Sequence, residues 1–346
     1  MNIPSSMACW QWQDFGDLRH LQVRRVPVPM PGRREVLVKI RASSLNRRDL
    51  MVAAGIPVGK VLRPGLVPLS DGAGDVVAVG DEVTRVALGD RVAAIFRQGW
   101  MDGPGRFADA VNDLGGGPDG TLREYAVFDE DGLIKAPAHL SYEEGATLPC
   151  AAVTAWNALY AKGHLKAGET LLVQGTGGVS LFALQFARLI GARVIATTSS
   201  STKADKLLAL GVADVVNYRE HSSWSDEVLR LTGGEGAHLV VEIGGAGTLA
   251  ESIKSTRESG RVVMVGLLTN PDETTSQAFM NAFMRDTTIS SAHVGHRRSF
   301  EEMNEAITQA NLRPAIDSRY DFSDAPRAFE RLMSNAHFGK VVIRHD

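Results

Sequence analysis

Cysteine is scarce in this chain of 346 residues, where only Cys9 and Cys150 occur. Two cysteines cannot build a disulfide framework or a cysteine-rich zinc site, so we expect a reducing environment. A basic footprint for nucleic acid is also absent, since 37 Lys and Arg stand against 40 Asp and Glu, for a formal net charge of −3. The chain contains no apolar run long enough to span a bilayer, and its start lacks the basic-then-apolar order of a signal peptide. We therefore expect a soluble, cytoplasmic protein with neither nucleic-acid nor membrane partners.

The remaining composition is that of an ordinary folded protein, with 44% hydrophobic and 22% charged residues. At about 150 residues per domain, the length allows two domains. Glycine is abundant, at 35 residues, which predicts many tight turns or close backbone approaches. A serine hydrolase is disfavoured because no Gly-x-Ser-x-Gly elbow occurs.

The first third of the chain predicts short strands separated by glycine and proline. Residues 99–120 are rich in glycine and aspartate and predict a long surface loop, a kind of segment that often forms a lid or binding element. The polar last stretch, 297–346, predicts two helices and a terminal strand that pack back on the first region. The segment between these regions would then be an insertion.

After Pro137 strands and helices alternate, which predicts βαβ units and a parallel sheet. Six such strands match a doubly wound dinucleotide fold. The predicted fold class is therefore α/β, with a Rossmann doubly wound parallel sheet inserted in a mostly β domain. The mostly β domain would comprise 1–136 completed by 297–346, and the dinucleotide-binding domain 137–296. The predicted strands are 169–175, 193–198, 214–218, 238–243, 261–267 and 287–294.

A glycine-rich turn follows the first of these strands and opens a helix, which is the context of a dinucleotide-binding fingerprint. Gly175 is predicted to make the tight turn, while Gly177 and Gly178 let backbone N–H groups approach a pyrophosphate at the positive helix N-terminus. Ser180 replaces the third fingerprint glycine and is still small enough for close helix–strand packing. The cofactor-binding residues predicted in this turn are Gly175, Thr176, Gly177, Gly178 and Val179.

Further stretches make the chain resemble a medium-chain dehydrogenase/reductase of the zinc-free quinone oxidoreductase branch, which is alcohol dehydrogenase-like. They occur in the order of that family and cover nearly the whole chain. The resemblance implies a GroES-like catalytic domain beside the Rossmann domain, a nicotinamide cofactor and a hydride transfer. The stretches are SLNRRD at 44–49, DGAG at 71–74, LGDRV at 88–92, GTLREY at 120–125, LPCAAVTAW at 148–156 and FGKVVI at 338–343.

Zinc-dependent members of this family bind the metal with a cysteine, a histidine followed by a glutamate, and a second cysteine or an acid. In this chain Asn46 falls at the first position, Ser70 and Asp71 replace the His-Glu pair, and Cys150 matches the third ligand. One cysteine and one acid are too few to hold Zn²⁺ with three protein ligands. The family's cysteine quartet for structural zinc is also missing, so we expect no metal.

Zinc-free relatives mostly reduce a quinone or a C=C bond conjugated to a carbonyl. Asn46 resembles the family asparagine beside the nicotinamide, where its amide donates to substrate or to an ordered water; the alternative is a turn-capping role. Asp49 is the second catalytic candidate, although a solvent-facing charged pair is the alternative for Arg48 and Asp49. Thr154 matches the family threonine near the nicotinamide, with a core role as its alternative.

The predicted cofactor is NADPH. NAD enzymes of this fold carry an acidic residue about 20 residues after the glycines. In this chain no Asp or Glu occurs between these glycines and Asp205. Ser199 and Ser200 can donate to a 2′-phosphate and Lys203 can supply a point charge; alternatively, the serines cap the next helix and Lys203 is a surface charge. By resemblance, Tyr218 reaches the same phosphate. The other predicted cofactor contacts are Thr198, Val265, Gly266, Leu267, His293, Val294, Phe338, Gly339 and Lys340.

Three functions are compatible with these residues. The first is an NADPH-dependent reductase that transfers a hydride to a quinone or an α,β-unsaturated carbonyl without zinc. The second is an alcohol or aldehyde dehydrogenase of the same superfamily, and the third a non-catalytic, crystallin-like NADPH-binding protein. The small-molecule substrate stays open because variable loops around 50–65 and 97–120 build the pocket. Strand 287–294 is expected at the edge of the sheet, and its residues are mostly small or β-branched. Because the unpaired backbone groups of an edge strand can pair with a second copy, we predict a homodimer.

Overall fold

The computed structural model describes residues 3–57, 62–266, 268 and 275–345, with only the backbone described at 107, 275 and 276. It divides into two compact units, Met1–Val153 with Gly295–Asp346 and Thr154–Val294. The predicted contact Leu267 lies outside the described residues. Within the described part of the chain, no helix is both long and apolar enough to cross a membrane.

The first unit consists mainly of antiparallel strands, and most of these strands bury apolar side chains. β-Strand propensity is visible in its longest strand, EVLVKIRASS, where most positions are buried. Short 3₁₀ turns occur at Leu18–His20, Phe107–Asn112 and Glu130–Gly132. The elements up to the second unit are β1 Ser6–Trp12, β2 Leu21–Pro27, β3 Glu35–Ser44, α1 Arg47–Ala53, β4 Asp71–Val79, β5 Arg91–Ala94, β6 Tyr125–Asp129, β7 Leu133–Lys135 and α2 Tyr142–Ala146.

The second unit contains a six-stranded parallel sheet in the order β10-β9-β8-β11-β12-β13. All five residues of β8 are buried, as expected for a central strand of a parallel sheet. This strand order is that of the doubly wound dinucleotide fold, so the predicted Rossmann sheet is confirmed. The elements are α3 Val153–Trp156, β8 Thr170–Gln174, α4 Gly178–Leu189, β9 Arg193–Thr198, α5 Ser201–Ala209, β10 Asp214–Asn217, α6 Trp224–Leu231, β11 Ala237–Glu242, α7 Ala246–Lys254, β12 Thr256–Met264, α8 Thr275–Met284 and β13 Thr288–Ser291.

The chain then returns to the first unit and completes its main sheet. The last strand pairs antiparallel with β3, Val342 opposite Ser44, and so brings the C-terminal segment beside residues near position 45. The sheet order is β14-β15-β3-β4-β5-β7, with β6 also paired to β3. The returning elements are α9 Arg297–Gln309, β14 Ile316–Asp321, a 3₁₀ turn Phe322–Asp324, α10 Ala325–Met333 and β15 Lys340–Arg344.

Two segments differ from the sequence-based expectation. The second unit begins after Val153 rather than after residue 136, because α2 packs on β3 and β4 of the first unit. The prediction of a surface loop over 99–120 is wrong for its second half, where residues 113–116 are buried. Arg97 Nε and Nη2 donate to the two carboxylate oxygens of Asp113 over 2.6 and 3.1 Å, and this buried ion pair anchors the segment.

Candidate active site

A buried lysine of β15 contacts the predicted catalytic asparagine. The Lys340 side chain is 2% exposed. Its Nζ donates to Asn46 Oδ1 over 2.5 Å, to the Leu45 carbonyl oxygen over 2.7 Å and to Asp71 Oδ2 over 3.4 Å. An ammonium has three hydrogens, so these three acceptors account for all of them. The sequence analysis gives Lys340 to the cofactor, whereas in the structure its side-chain donors face residues of the first unit.

The lysine determines which way the Asn46 amide points. Because an ammonium only donates, the amide oxygen must face Lys340 and the amide nitrogen must face elsewhere. Asn46 Nδ2 is buried and has no hydrogen-bond partner among the described residues. A buried donor without a partner is costly, which is typical of a group arranged to meet a ligand.

Asn46 is also the N-cap residue of α1, so the turn-capping role applies together with the Lys340 contact. Its backbone N–H donates to Asp49 Oδ2 over 2.7 Å, while the Asp49 N–H donates to the Asn46 carbonyl oxygen over 3.0 Å. This reciprocal arrangement stabilises the first turn of a short helix. Asp49 thereby fixes the backbone from which the Asn46 amide projects.

The interpretation of Arg48 and Asp49 as a solvent-facing pair is wrong. Their side chains are 10% and 1% exposed, with Arg48 Nη1 and Asp49 Oδ1 3.7 Å apart. Arg48 lies over the Phe96 ring and donates to the Leu114 carbonyl oxygen over 2.6 Å, which draws the guanidinium inward. Burial raises the pKa of Asp49 to about 6, against the lowering effect of Arg48 and of the Asn46 N–H.

Asp71 carries the negative charge opposite Lys340. Its side chain is fully buried. Ser70 Oγ donates to Asp71 Oδ1 over 2.9 Å and Ser44 Oγ donates to Asp71 Oδ2 over 3.2 Å, so hydrogen bonds replace the water that the carboxylate loses. A buried pair of this kind keeps its charges only because each is compensated.

These residues do not fit a zinc ion. Zinc sites in proteins use thiolate, imidazole and carboxylate ligands, and no cluster of three such residues occurs among the described residues. The amide oxygen of Asn46 and a carboxylate oxygen of Asp71 already accept from the Lys340 ammonium, whose charge disfavours a second cation. Burial and the nearby Asp71 raise the pKa of the Cys150 thiol, which opposes the thiolate form that a metal requires.

The predicted phosphate-binding turn lies between β8 and α4. Gly175 has φ +67°, a left-handed conformation that glycine adopts without strain. Gly177 is the N-cap of the 12-residue helix α4 and makes no side-chain cap bond, so the first helical turn presents backbone donors. Ser180 is buried and its Oγ donates to the Gln174 carbonyl oxygen over 2.5 Å. Thr176, Gly178 and Val179 complete this turn, which suits a pyrophosphate.

A buried polar network behind this turn was not predicted from the sequence. Gln174 Nε2 donates to Glu242 Oε2 over 2.7 Å, and Gln174 Oε1 accepts from the Ile243 N–H over 3.1 Å. Glu242 Oε1 accepts from the Gly245 N–H over 2.8 Å. The network ties together the carboxyl ends of β8 and β11, where ligands bind in this fold. The available signal was a polar residue ending each of two buried apolar strands.

The predicted ribose-phosphate residues lie at the ends of β9 and β10. Ser200 Oγ accepts from the Lys203 N–H over 3.4 Å and caps α5, as the alternative interpretation expected. The Tyr218 N–H donates to the Thr198 carbonyl oxygen over 3.0 Å, and the tyrosine is 44% exposed. The structure therefore brings together Thr198, Ser199, Ser200, Lys203 and Tyr218 on neighbouring strand ends of one unit.

Two further predicted contacts lie where β12 and β13 end. A Cβ on Gly266 would lie 2.3 Å from the Ile243 carbonyl oxygen. Only glycine therefore permits the backbone after β12 to come this close to the backbone after β11. Val294 has φ +48°, a strained conformation for a β-branched residue, and its carbonyl oxygen accepts from Asn157 Nδ2 over 2.7 Å. Strain of this kind clusters at functional sites.

The other predicted contacts fall in different surroundings. Thr154 is buried at the start of the second unit. Val265 donates its N–H to the Glu242 carbonyl oxygen over 2.8 Å beside the network described above. Phe338 and Gly339 precede β15 in the first unit, and Gly339 has φ +93°. His293 follows β13.

Comparisons with known proteins agree with both units. The family described as zinc-binding dehydrogenase matches residues 178–309, and the alcohol dehydrogenase GroES-like domain matches residues 32–138. A zinc-type alcohol dehydrogenase-like protein of Schizosaccharomyces pombe is 40% identical over 91% of this chain and 92% of its own length. A Homo sapiens quinone oxidoreductase is 27% identical over 95% of each chain. The crystal structure of an NAD-dependent alcohol dehydrogenase is 33% identical, with a TM-score of 0.89 over 98% of this chain and 99% of that chain.

The chain belongs to the medium-chain dehydrogenase/reductase superfamily. It is an oxidoreductase of the alcohol dehydrogenase and quinone oxidoreductase kind, in a family that binds a nicotinamide dinucleotide and acts on small molecules. The predicted superfamily and GroES-like domain are confirmed. The words "zinc-type" and "NAD-dependent" describe those relatives.

Proposed function

We propose that the protein is an NADPH-dependent oxidoreductase that transfers a hydride to a quinone or an α,β-unsaturated carbonyl without zinc. The observation that carries this proposal is the buried Lys340 ammonium on Asn46 and Asp71, in the region where zinc-dependent relatives hold their metal. Without a Lewis acid, interconverting an alcohol and a carbonyl loses its main electrostatic aid. Reduction of an electron-poor C=C bond or quinone needs donors at the oxygen where charge collects, and a proton from water or a side chain to complete the product.

When bound, the reduced nicotinamide supplies the hydride. Asn46 Nδ2 then donates to the substrate oxygen as negative charge develops there, because its oxygen is held by Lys340 and its nitrogen has no partner among the described residues. Asp49 holds the Asn46 backbone through the 2.7 Å bond and so acts on the position of this amide. The phosphate groups of the cofactor fit the backbone donors of the 175–179 turn.

The preference for NADPH rests on the strand ends of the second unit. The sequence from Thr198 to Lys203 contains no carboxylate that would repel a 2′-phosphate. Ser199, the Lys203 ammonium and the half-exposed Tyr218 are the groups proposed to bind it. The remaining contacts proposed for the cofactor are the backbone at Gly266, His293 and Val294.

An alcohol or aldehyde dehydrogenase of the same superfamily is the second candidate, since relatives named as alcohol dehydrogenases are 33% and 40% identical. One experiment separates the two. The purified protein is assayed with NADPH plus 9,10-phenanthrenequinone or an enone, and with NADP⁺ or NAD⁺ plus alcohols, each after chelation and after added zinc. We expect quinone or enone reduction that is insensitive to zinc. Alcohol oxidation without quinone or enone reduction would replace the first candidate by the second, and activity that disappears on chelation and returns with zinc would contradict a zinc-free site.

We also propose a homodimer formed through β13. This strand pairs only with β12 within the described sheet, so its outer edge is available for strand addition. Helix α8 precedes it and exposes Phe279 and Phe283 by 74% and 82%, an apolar surface unusual for a monomer. Light scattering at micromolar concentration should give a dimer, and Phe283→Asp should shift the protein toward monomer. A monomeric wild-type protein would contradict this.

A further inference from the structure

We infer that Lys340 is a positioning residue for the reaction: its ammonium fixes and polarises the Asn46 amide, and so takes the electrostatic place of the metal in zinc-dependent relatives. This inference rests on the proposed function, because it assigns Lys340 a part in stabilising the substrate oxygen. It concerns a residue that the sequence analysis assigns to the cofactor.

The contact with Lys340 determines the orientation of the Asn46 side-chain amide. Asn46 Oδ1 accepts from the Lys340 ammonium over 2.5 Å, which makes this contact a charge-assisted hydrogen bond. Rotating the amide by 180° would direct its NH₂ group at an ammonium, which is repulsive because both groups only donate. The lysine therefore selects one of the two amide orientations, and in that orientation the nitrogen is available for a substrate oxygen.

Burial then gives the charge its effect. Lys340 and Asp71 are 2% and 0% exposed, so water screens their field weakly. A cation bound to an amide oxygen withdraws electron density and makes the amide N–H groups stronger donors, since linked hydrogen bonds polarise one another. The same positive charge favours the negatively charged oxygen of an enolate or of a hydroquinone anion held by that amide.

Asp71 determines how the inference can be tested. Removing Lys340 alone would leave a buried carboxylate without its counter-charge, and the protein would lose stability for that reason. The informative variant removes both charges, Lys340→Met with Asp71→Asn. Ser70 and Ser44 keep a hydrogen-bonding partner at position 71 in this variant.

The experiment is a double-mutant cycle in kcat with saturating NADPH and 9,10-phenanthrenequinone. Asn46→Ala should lower kcat by about 10²-fold, as for loss of one oxyanion donor. Lys340→Met/Asp71→Asn should lower kcat by about 10²-fold with an almost unchanged KM for NADPH, and adding Asn46→Ala to it should cost nothing more. Losses that multiply to about 10⁴-fold, or a kcat within threefold of wild type, would overturn the inference.

A second variant covers the case in which the Lys340→Met/Asp71→Asn protein does not fold. Lys340→Gln/Asp71→Asn keeps a neutral donor for Asn46 Oδ1 but removes the charge, so we expect an intermediate loss of about tenfold in kcat. Unchanged kcat in this variant would overturn the role of the charge. Arg344→Met/Asp321→Asn is the matched control, because this exposed ion pair joins β15 to β14 away from Asn46.

An amide readout keeps the inference testable if the wild-type protein reduces no quinone or enone, which would reject the proposed function alone. In protein labelled with ¹⁵N-asparagine, the Asn46 side-chain signals are those that Asn46→Ala removes. Lys340→Met/Asp71→Asn should shift and broaden these signals, and the control should leave them in place. An unchanged Asn46 signal would overturn the inference independently of any activity.

Discussion

The two units build their parts of the predicted site from different groups. In the first unit the site consists of buried side chains, with Lys340 and Asp71 2% and 0% exposed and bonded to Asn46 or to neighbouring serines. In the second unit the predicted cofactor contacts are chiefly backbone, at a turn with Gly175 at φ +67° and at strand ends that meet closely. The part of the predicted site in the first unit depends on its charged side chains. The part in the second unit depends on positions where no side chain covers the backbone.

This difference has an energetic consequence. Buried charges are costly unless every partner is in place, so a single change in the first unit exposes the cost of a whole cluster. A glycine turn buries no charge that needs a partner. A substitution there costs only local backbone strain, of about 1–2 kcal/mol. We therefore expect the first unit to respond to pH and to charge-neutral substitutions, and the second to respond to added Cβ atoms.

The largest expected effect is at Asp49. Burial raises its pKa from 3.8 to about 6. Between these pH values the folded protein keeps the proton while the unfolded chain releases it, so stability falls as pH rises, by up to about 3 kcal/mol. Asp49→Asn removes this slope and retains an acceptor for the Asn46 N–H. Urea unfolding at pH 4.5 and pH 7.5 should show that the change in stability with rising pH is more favourable for the variant than for wild type.

The comparison must be made against wild type at each pH. Burial lowers the pKa of His345 from 6.5 to about 3, so this histidine gives stability that rises with pH through the same window. Its contribution is common to both proteins and cancels in the difference. Equal slopes for wild type and Asp49→Asn would contradict the burial of an ionisable carboxyl at this position.

The architecture of the second unit could be predicted from sequence because its signals are local. Buried apolar runs predict strands directly, and 193–198 coincides with β9. Boundaries were less accurate where strand pairing competes with helix pattern. The predicted strand 261–267 starts late, because β12 already begins at Thr256, which pairs with Ala237 of β11.

The side-chain cluster of the first unit could not be predicted in the same way. Asn46 and Lys340 are separated by 294 residues, and nothing local indicates that β15 will pair beside residue 44. The surface interpretation of Arg48 and Asp49 failed because charged pairs are usually solvated. The spacing from Asn46 to Asp49, which is that of a helix cap and its third residue, was the signal available for burial of the carboxylate.

The second prediction adds a Cβ to the cofactor turn. Gly175→Ala and Gly168→Ala both place alanine at positive φ, +67° and +79°, with no atom closer than 3.9 Å to the new Cβ. Each should lower the free energy of unfolding by about 1–2 kcal/mol. Only Gly175→Ala should also weaken NADPH binding, by about tenfold, because a methyl group there hinders approach of the pyrophosphate. Equal NADPH affinities of the two variants, measured by calorimetry, would remove the turn from the cofactor site.

The third prediction tests whether the second unit uses any charged side chain. Lys203 follows the Ser200 cap of α5, at the strand end where the ribose phosphate is proposed to bind. A charge-assisted bond to phosphate contributes on the order of 1.5–3 kcal/mol, so Lys203→Ala should weaken NADPH binding by about tenfold or more. NADH lacks the 2′-phosphate and should bind wild type and variant alike. The matched control is Lys206→Ala, an exposed lysine further along the same helix. Wild-type affinities that are equal for NADH and NADPH, or a Lys203→Ala loss that is the same for both, would mean that backbone alone recognises the dinucleotide and that the contrast between the two units is complete.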